Sequence, residues 1–241
     1  MSLPSVSFFR RVSHSAKKNQ LFLGNKISDY YTKGMRQMLP QEDKNLTLKR
    51  ELIEGTIDTV ATLGLENTTT NAICTTCKIN VAYIYRFFTD KEDLIAKAFG
   101  FVDEQFLRQI LDNYTVLNYE SIDYESRCRV LFKKCWDYLM AHPKDITFYT
   151  RYYYSVSFQK YAYTEHMKRY VELFEKMKTA FPESADVRLI LHHILDTLLG
   201  QATKQIENPT DDSDIAATKT FFLIFSVIKS YLRTDRLNSN Q

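Results

Sequence analysis

From residue 48 onward, apolar residues recur three and four positions apart, which is the period of an amphipathic helix. The first clear stripe consists of Leu48, Leu52, Ile53, Ile57, Val60 and Ala61. Gly64 follows the stripe in the position where a glycine commonly ends a helix. The pattern therefore predicts a helix that begins near Thr47 and ends before Gly64.

Three further helices are predicted directly after this one. The hydroxyl groups of the Thr-Thr-Thr run at 68–70 are suitable N-caps for the second helix. After a tight break, Asn80 is a suitable N-cap for a third helix over residues 81–87. A fourth helix is predicted to start at Asp90 and to continue to about Asn113.

The remainder of the chain shows only helical periodicity. We predict five more helices, near residues 124–141, 144–159, 163–180, 185–207 and 213–234. No segment keeps a period-two alternation, so no sheet is expected. With only six Gly and five Pro in 241 residues, turns are few and elements long. The fold class predicted is all-α.

Charge divides the chain into a basic front and a mildly acidic remainder. Residues 1–50 hold ten Lys/Arg and three Asp/Glu, whereas the rest holds 22 Lys/Arg and 26 Asp/Glu. This distribution fits phosphate contacts made by the N-terminal part alone, although a solvated basic tail explains it as well. The first 45 residues lack sustained periodicity. We treat residues 1–45 as a basic extension, with either a short helix around 20–38 or disorder.

Two short helices joined by a tight turn, next to a packing helix, form a helix-turn-helix pattern. The run from Gly64 to Leu94 resembles, without a gap, the N-terminal domain of the TetR/AcrR family, which shows a Gly, Thr-Thr, Ala-Gly-Val-Ser, Leu-Tyr, Phe and Lys-Glu in this order. Departures are Cys77-Lys78 in place of Ala-Gly, Val81 where a basic residue is usual and Tyr83 where a small one is usual. Lys78, at the family's glycine position, is expected to be left-handed at some cost in strain.

The resemblance implies a fold and a division into domains. It implies an N-terminal three-helix helix-turn-helix domain at residues 46–95. A C-terminal helical domain for ligand binding and dimerisation is implied at residues 96–241.

The resemblance also implies DNA-binding residues around the turn. By position they are Thr69, Asn80, Val81, Ala82, Tyr83, Tyr85, Arg86 and Lys91. Val81, Ala82 and Tyr83 would face base edges in the major groove. Thr69, Tyr85 and Lys91 would contact the DNA backbone, and Arg86 either a base or a phosphate. The alternative for Tyr83 and Tyr85 is packing against neighbouring helices. Four apolar residues are expected to form the core of this small domain instead: Ile73, Ile79, Ile84 and Phe88.

An aromatic run lies at residues 148–163, where eight of sixteen residues are Phe or Tyr. Plain core packing explains such a helix, and so does an apolar pocket whose hydroxyl groups orient a guest. The ligand-binding candidates are Trp136, Tyr138, Phe148, Tyr152 and Tyr153. The resemblance implies a ligand pocket in this domain but does not identify its residues.

Apolar stripes on the last two helices suggest an interface. In the TetR/AcrR family this pair meets its copy as a four-helix bundle, which implies a homodimer through residues of about 185–234. The alternative is burial of both stripes within one subunit.

No residue pattern supports an enzyme, a cofactor or a metal site. The Cys74-x-x-Cys77 motif has no second ligand pair, and adjacent His192 and His193 point about 100° apart on a helix. We expect packing roles for all four.

No apolar run approaches the roughly 18–20 residues needed to cross a bilayer. Four cysteines are too few for a disulfide framework, so a cytoplasmic location is expected.

These observations lead to one main functional hypothesis. The chain is predicted to be a sequence-specific transcriptional regulator of double-stranded DNA, a repressor released from a palindromic operator by an apolar or aromatic small-molecule effector. The alternative is a DNA-binding protein whose C-terminal domain recruits a protein partner. An enzyme on a helical scaffold is disfavoured because no catalytic constellation is present.

Overall fold

The structure, a computed structural model, describes residues 41–233. The chain divides into two units between Lys49 and Arg50. The predicted helix around 20–38 and the basic tail lie outside the described residues. Within the described range the protein contains eleven α-helices, two 3-10 segments and no strand, as predicted for an all-α fold.

The first four helices form the predicted helix-turn-helix arrangement. Helix α1 spans Gln41–Leu63, α2 Thr70–Cys77, α3 Ala82–Phe87 and α4 Lys91–Asn113. Helix α1 ends at Gly64, whose φ of +83° confirms the predicted glycine terminus. The predicted domain boundaries at 45/46 and 95/96 both fall inside helices, in α1 and α4. We call residues 50–98 the helix-turn-helix region.

Seven helices follow in the C-terminal part. They are α5 Tyr124–Ala141, α6 Pro143–Tyr153, α7 Val156–Tyr161, α8 Tyr163–Arg169, α9 Val171–Lys178, α10 Val187–Glu207 and α11 Ser213–Ile228, with 3-10 segments at Tyr114–Asn118 and Lys229–Tyr231. Three predicted helices are shorter or divided. The helix predicted over 144–159 breaks after Tyr153, because the Ser155 hydroxyl accepts a hydrogen bond of 3.2 Å from the Phe158 amide and starts α7. The helix predicted over 163–180 is interrupted at Tyr170, and the last one ends at Ile228.

Two sets of buried side chains stabilise the chain. One cluster extends through the C-terminal helices and includes Ile57 and Val60 of α1 and Ile95 of α4. The remaining buried apolar residues lie in the helix-turn-helix region: Leu52, Ile73, Ile79, Ile84, Phe88 and Leu94. The predicted small core of Ile73, Ile79, Ile84 and Phe88 is therefore confirmed, since each is at most 8% exposed.

The end of α1 is tied to α6 by polar contacts. Nη1 of Arg151 donates hydrogen bonds of 2.8 and 3.0 Å to the carbonyl oxygens of Val60 and Ala61. Nearby, Nζ of Lys144 lies 2.9 Å from Oδ1 of Asp58. The Val60 carbonyl also accepts a hydrogen bond of 2.9 Å from the Gly64 amide, so Arg151 adds a second donor to Val60 and a donor from another helix to Ala61.

Candidate functional site

The turn between α2 and α3 has the geometry that its sequence predicts. The Thr69 hydroxyl accepts a hydrogen bond of 3.1 Å from the Ala72 amide and so caps α2. Lys78 ends α2 with φ 55° and ψ 38°, which confirms the left-handed conformation expected at this position. Oδ1 of Asn80 accepts a hydrogen bond of 2.8 Å from the Ala82 amide. Together these contacts fix the angle at which α3 leaves the turn.

The predicted DNA-binding side chains of α3 and its flanks are open to solvent. Tyr85 is 62% exposed although it is a large aromatic residue. The other residues of the set are exposed or half-buried: Thr69, Asn80, Val81, Ala82, Tyr83 and Arg86. Tyr83 stacks on Phe87 with ring centroids 6.1 Å apart, and the Arg86 guanidinium lies 5.5 Å from the same ring. The aromatic contact of Tyr83 is thus within α3 itself, while Tyr85 faces solvent.

Lys91 lies at the start of α4 and is half-buried. Its Nζ donates a hydrogen bond of 3.1 Å to the carbonyl oxygen of Thr68 and lies 3.4 Å from a Glu92 carboxylate oxygen. Asp90 caps the helix, since its Oδ1 accepts from the Asp93 amide at 2.8 Å. The amino group of Lys91 therefore holds the loop before α2 against the start of α4.

An apolar cavity of about 140 Å³ lies inside the C-terminal helices. Its lining comes from α4, the first 3-10 segment, α5, α9, α10 and α11, and it is almost entirely aliphatic, aromatic or sulfur-bearing. Lining residues include Ile110, Leu117, Tyr124, Cys128, Cys135 and Phe221. A cavity of this size and lining suits only a small apolar guest, on the scale of benzene.

None of the five residues proposed from the sequence as ligand-binding lines this cavity. Phe148, Tyr152 and Trp136 are fully buried elsewhere in the core, and Tyr138 and Tyr153 are half-buried. Nε1 of Trp136 donates a hydrogen bond of 3.1 Å to the Ser213 hydroxyl. Sequence reasoning missed the cavity because its lining comes from five separate stretches of the chain. The only local signal was the pair Cys128 and Cys135, which share a helix face.

The aromatic run surrounds a buried carboxylate that sequence reasoning also missed. Asp103 of α4 is fully buried. Its oxygens accept a hydrogen bond of 3.0 Å from the Tyr149 hydroxyl, lie 3.0 and 3.1 Å from Nδ1 of His166, and accept one of 2.9 Å from Arg169. Gly100 leaves room for this arginine, because a Cβ there would lie 2.7 Å from Nη2 of Arg169. The network joins α4 to α6 and α8.

A second buried charge, Arg127 of α5, is 1% exposed. Its Nη1 donates a hydrogen bond of 2.7 Å to the carbonyl oxygen of Leu117, and its guanidinium lies 5.2 Å from the ring centroid of Tyr124. Its Nε is buried without a hydrogen-bond partner. Unlike Asp103, this charge has no ion pair in the part of the chain that the structure describes.

The cysteines lack the environment of reactive thiols. Burial raises the pKa of the Cys128 and Cys135 thiols to about 12. Burial also raises the pKa of Cys74 and Cys77, the two cysteines of the C-x-x-C motif.

Among the described residues no group of three or more His, Cys, Asp or Glu is placed to hold a metal ion. Over the same residues, no helix is long and apolar enough to span a bilayer.

Residues 52–98 match the family described as bacterial regulatory proteins, tetR family. The match begins in α1, includes the whole turn and ends in α4. It therefore covers the segment on which the proposed DNA-binding residues lie. No curated protein sequence matches the chain.

Solved structures of TetR-type regulators share the fold over most of the chain. A TetR family transcription regulator from Marinobacter aquaeolei VT8 has a TM-score of 0.63 at 15% identity, covering 78% of this chain and 97% of that one. A putative tetR family transcription regulator from Shewanella sp. PV-4 has a TM-score of 0.61 at 15% identity, with 77% and 98% covered. The regulator FadR from Bacillus subtilis, solved in complex with stearoyl-CoA, has a TM-score of 0.56 at 17% identity, with 73% and 97% covered. At these identities the likeness shows the fold alone.

Proposed function

We infer that the chain is a sequence-specific DNA-binding transcriptional regulator. Its residues 52–98 match the tetR family, and its helical fold is similar to that of TetR-type regulators. The observation that carries this proposal is the solvent-exposed α3, which follows a turn fixed by Lys78 and Asn80. In a helix-turn-helix protein the second short helix enters the major groove. Val81, Ala82 and Tyr83 would then face base edges, and Thr69, Tyr85, Arg86 and Lys91 the DNA backbone.

We further propose that the regulator acts as a homodimer on a palindromic operator. The outer face of α11 supports this, because four apolar side chains on it are 44–54% exposed: Ile215, Phe222, Leu223 and Val227. Leu189 of α10 is 66% exposed, and a Cβ at Gly200 of the same helix would meet no atom within 4 Å. An isologous contact of two such helix pairs would bury this apolar surface and place two α3 helices on one duplex.

The effector of such a repressor would bind in the C-terminal helices. The cavity near Cys128 supports an apolar small-molecule effector, and the FadR structure shows a regulator of this fold in complex with stearoyl-CoA. Release from DNA would follow if the effector favours a different placement of α4, which contributes to both the cavity and the helix-turn-helix region. The change in DNA affinity cannot exceed the effector's preference for one of the two states.

The alternative, recruitment of a protein partner by the C-terminal helices, is supported by the same exposed face of α11. Sedimentation equilibrium distinguishes the two. If the wild-type chain is a dimer and the Phe222→Asp variant is a monomer, the exposed face of α11 binds a second copy of this chain. A wild-type monomer would assign it to a different protein.

The first experiment is selection of bound DNA from a random duplex library with the full-length chain. Enrichment of a palindrome with half-sites about one helical turn apart would support the proposal. Its control is the Tyr83→Ala variant, which should alter the preferred bases. Absence of any enriched motif at low salt would refute sequence-specific DNA binding.

A further inference from the structure

Arg127 presents an energetic problem that the rest of the fold does not solve. A buried guanidinium without an anionic partner costs several kcal/mol unless some group compensates its charge. The carbonyl oxygen of Leu117 is the only hydrogen-bond acceptor for the side chain of Arg127 in the described chain, and Nε has none. Asp103, by contrast, is equally buried and has three polar side chains around it. The Asp123 carboxylate is close enough to interact electrostatically with Arg127, but it forms no ion pair with it, and Nε of Arg127 keeps no acceptor in the described chain.

The Arg127 guanidinium lies directly behind the wall of the apolar cavity. Leu117, which accepts its hydrogen bond, and Tyr124, whose ring it covers, both line the cavity. The next residue along α5, Cys128, lines it too. A ligand in the cavity therefore has a buried cation one side-chain layer from its end.

We propose that the cavity binds an amphiphilic carboxylate, whose apolar group fills the cavity and whose carboxylate passes between Leu117 and Tyr124 of the wall to pair with Arg127. This inference rests on the proposed function and names the chemical class of its effector. The planar guanidinium matches a carboxylate better than any other group in proteins. A cavity of about 140 Å³ limits the apolar group. Engineered protein cavities of about 150 Å³ hold benzene, so about six to eight carbons are expected.

The same geometry connects the ligand to the DNA-binding end. Leu117 belongs to the 3-10 segment that follows α4 directly, and Ile110 of α4 lines the cavity. A carboxylate at Arg127 competes with the Leu117 carbonyl for the guanidinium. Ligand binding would then loosen the C-terminal end of α4, whose N-terminal end carries Lys91 and contacts the loop before α2.

The test compares octanoate with 1-octanol, two ligands of the same chain length that differ in charge. Calorimetric titration of the full-length protein without DNA should show octanoate binding at least about tenfold more tightly, because a hydrogen bond to a charged group contributes this much. Equal affinity for the two ligands, or no binding of octanoate, would overturn the proposal. Benzoate and 3-phenylpropanoate, tested in parallel, show whether the cavity prefers an aromatic or an aliphatic carboxylate.

Three variants locate the binding site. Arg127→Gln should weaken octanoate about 10- to 100-fold and change octanol less than about threefold, whereas Arg127→Lys should keep part of the preference for octanoate. Cys135→Leu should weaken the binding of both ligands because the larger side chain fills the cavity.

An equal loss of affinity for both ligands in Arg127→Gln would mean that Arg127 only supports the fold. Should that variant fail to fold, the comparison of octanoate with octanol on the wild-type chain decides. Since no DNA is present, the outcome is independent of whether α3 binds DNA.

Discussion

The guanidinium of Arg151 donates a hydrogen bond of 2.8 Å to the carbonyl oxygen of Val60. The donor belongs to α6 among the C-terminal helices, and the acceptor lies in the last turn of α1, next to the helix-turn-helix. A side chain 91 residues away thus adds a second hydrogen bond to a carbonyl that the Gly64 amide already binds at 2.9 Å. If the proposed function holds, we expect this contact to be one route by which a change among the C-terminal helices reaches the helix-turn-helix region.

Replacing Arg151 should loosen the end of α1 selectively. We expect Arg151→Gln to lower the free energy of unfolding by about 1 kcal/mol, since the side chain is exposed and its hydrogen bonds are partly replaced by water. Amide hydrogen exchange should accelerate at residues 62–65 more than in α10. The control is Arg108→Gln, which removes an exposed pair with Glu104. Unchanged exchange at the end of α1 would contradict the capping role.

Arg86 should contribute to DNA binding through its charge. We expect Arg86→Ala to weaken binding and to reduce the slope of log K against log salt by about 1, which is the effect of losing one phosphate contact. The salt dependence of the affinity is measured on a site obtained by selection. Arg108→Ala serves as the control because this arginine is exposed on α4, away from the turn. A salt slope that stays unchanged would place Arg86 off the DNA backbone.

Asp103 should stabilise the fold far more than a surface carboxylate on the same helix. Asp103→Asn leaves His166 and Arg169 without their anion, and we expect a loss of about 3 kcal/mol, as for other buried ion pairs that lose one partner. Glu104→Gln, one residue further along α4, breaks only the exposed pair with Arg108 and should cost at most about 0.5 kcal/mol. Urea denaturation measures both. Similar losses in the two variants would mean that the buried network contributes little.

The turn between α2 and α3 offers two substitutions with opposite effects. Lys78→Gly should stabilise the protein by about 0.5–1 kcal/mol, because the left-handed conformation costs a lysine more than a glycine. Asn80→Ala should destabilise it by about 1 kcal/mol through loss of the cap on the Ala82 amide. Thermal unfolding distinguishes the two signs. Destabilisation by Lys78→Gly would show that its side chain outweighs the backbone strain.

Stability should decline at high pH because of the buried thiols. Folding raises the pKa of Cys128 and Cys135 to about 12, whereas an unfolded thiol titrates near about 8.5. As the pH rises, the two thiols therefore ionise in the unfolded state before they ionise in the folded state. Their contribution to the free energy of unfolding is complete below about pH 8.5 and is lost as the pH rises toward 12. The double variant Cys128→Ala/Cys135→Ala should lose less stability than wild type between pH 7.5 and 9.5.

Thiol labelling gives an independent measure of the same burial. At pH 7.5 Cys128 and Cys135 should react with iodoacetamide only as fast as the protein opens, while half-buried Cys74 in α2 reacts sooner. Rapid modification of Cys128 in the native protein would contradict the high pKa.

Local chemistry in the sequence predicted the helix-turn-helix region well, down to the conformation of single residues. Four residues have roles that depend only on backbone groups within a few positions of the chain, so the neighbouring sequence is enough to predict those roles. They are Gly64, Thr69, Lys78 and Asn80. The break at Ser155 carried a local signal as well, a serine able to cap, but aromatic neighbours on both sides concealed it.

The interior of the C-terminal helices was not predictable in this way. The cavity is lined by five separate stretches of the chain, and the partners of Asp103 lie 46 to 66 positions away from it. Neither helical periodicity nor composition shows which of many aromatic residues meet across such distances. The ligand candidates chosen from the aromatic run, Phe148, Tyr152 and Tyr153, lie in the core or pack against it. None of them lines the cavity. The buried state of Arg127, on an otherwise ordinary polar stretch, had no signal in the sequence.

The bond from Arg151 to Val60 has a consequence for protein engineering. A hybrid could be made by joining the first hundred or so residues of this chain to the C-terminal helices of another protein. Such a hybrid would contain the last turn of α1 but not Arg151, whose guanidinium binds the carbonyl groups of that turn. It would also lose the ion pair between Lys144 and Asp58. A functional hybrid would have to bring residues 144 and 151 along with the transplanted segment, or find an arginine and a lysine at the matching positions of its host.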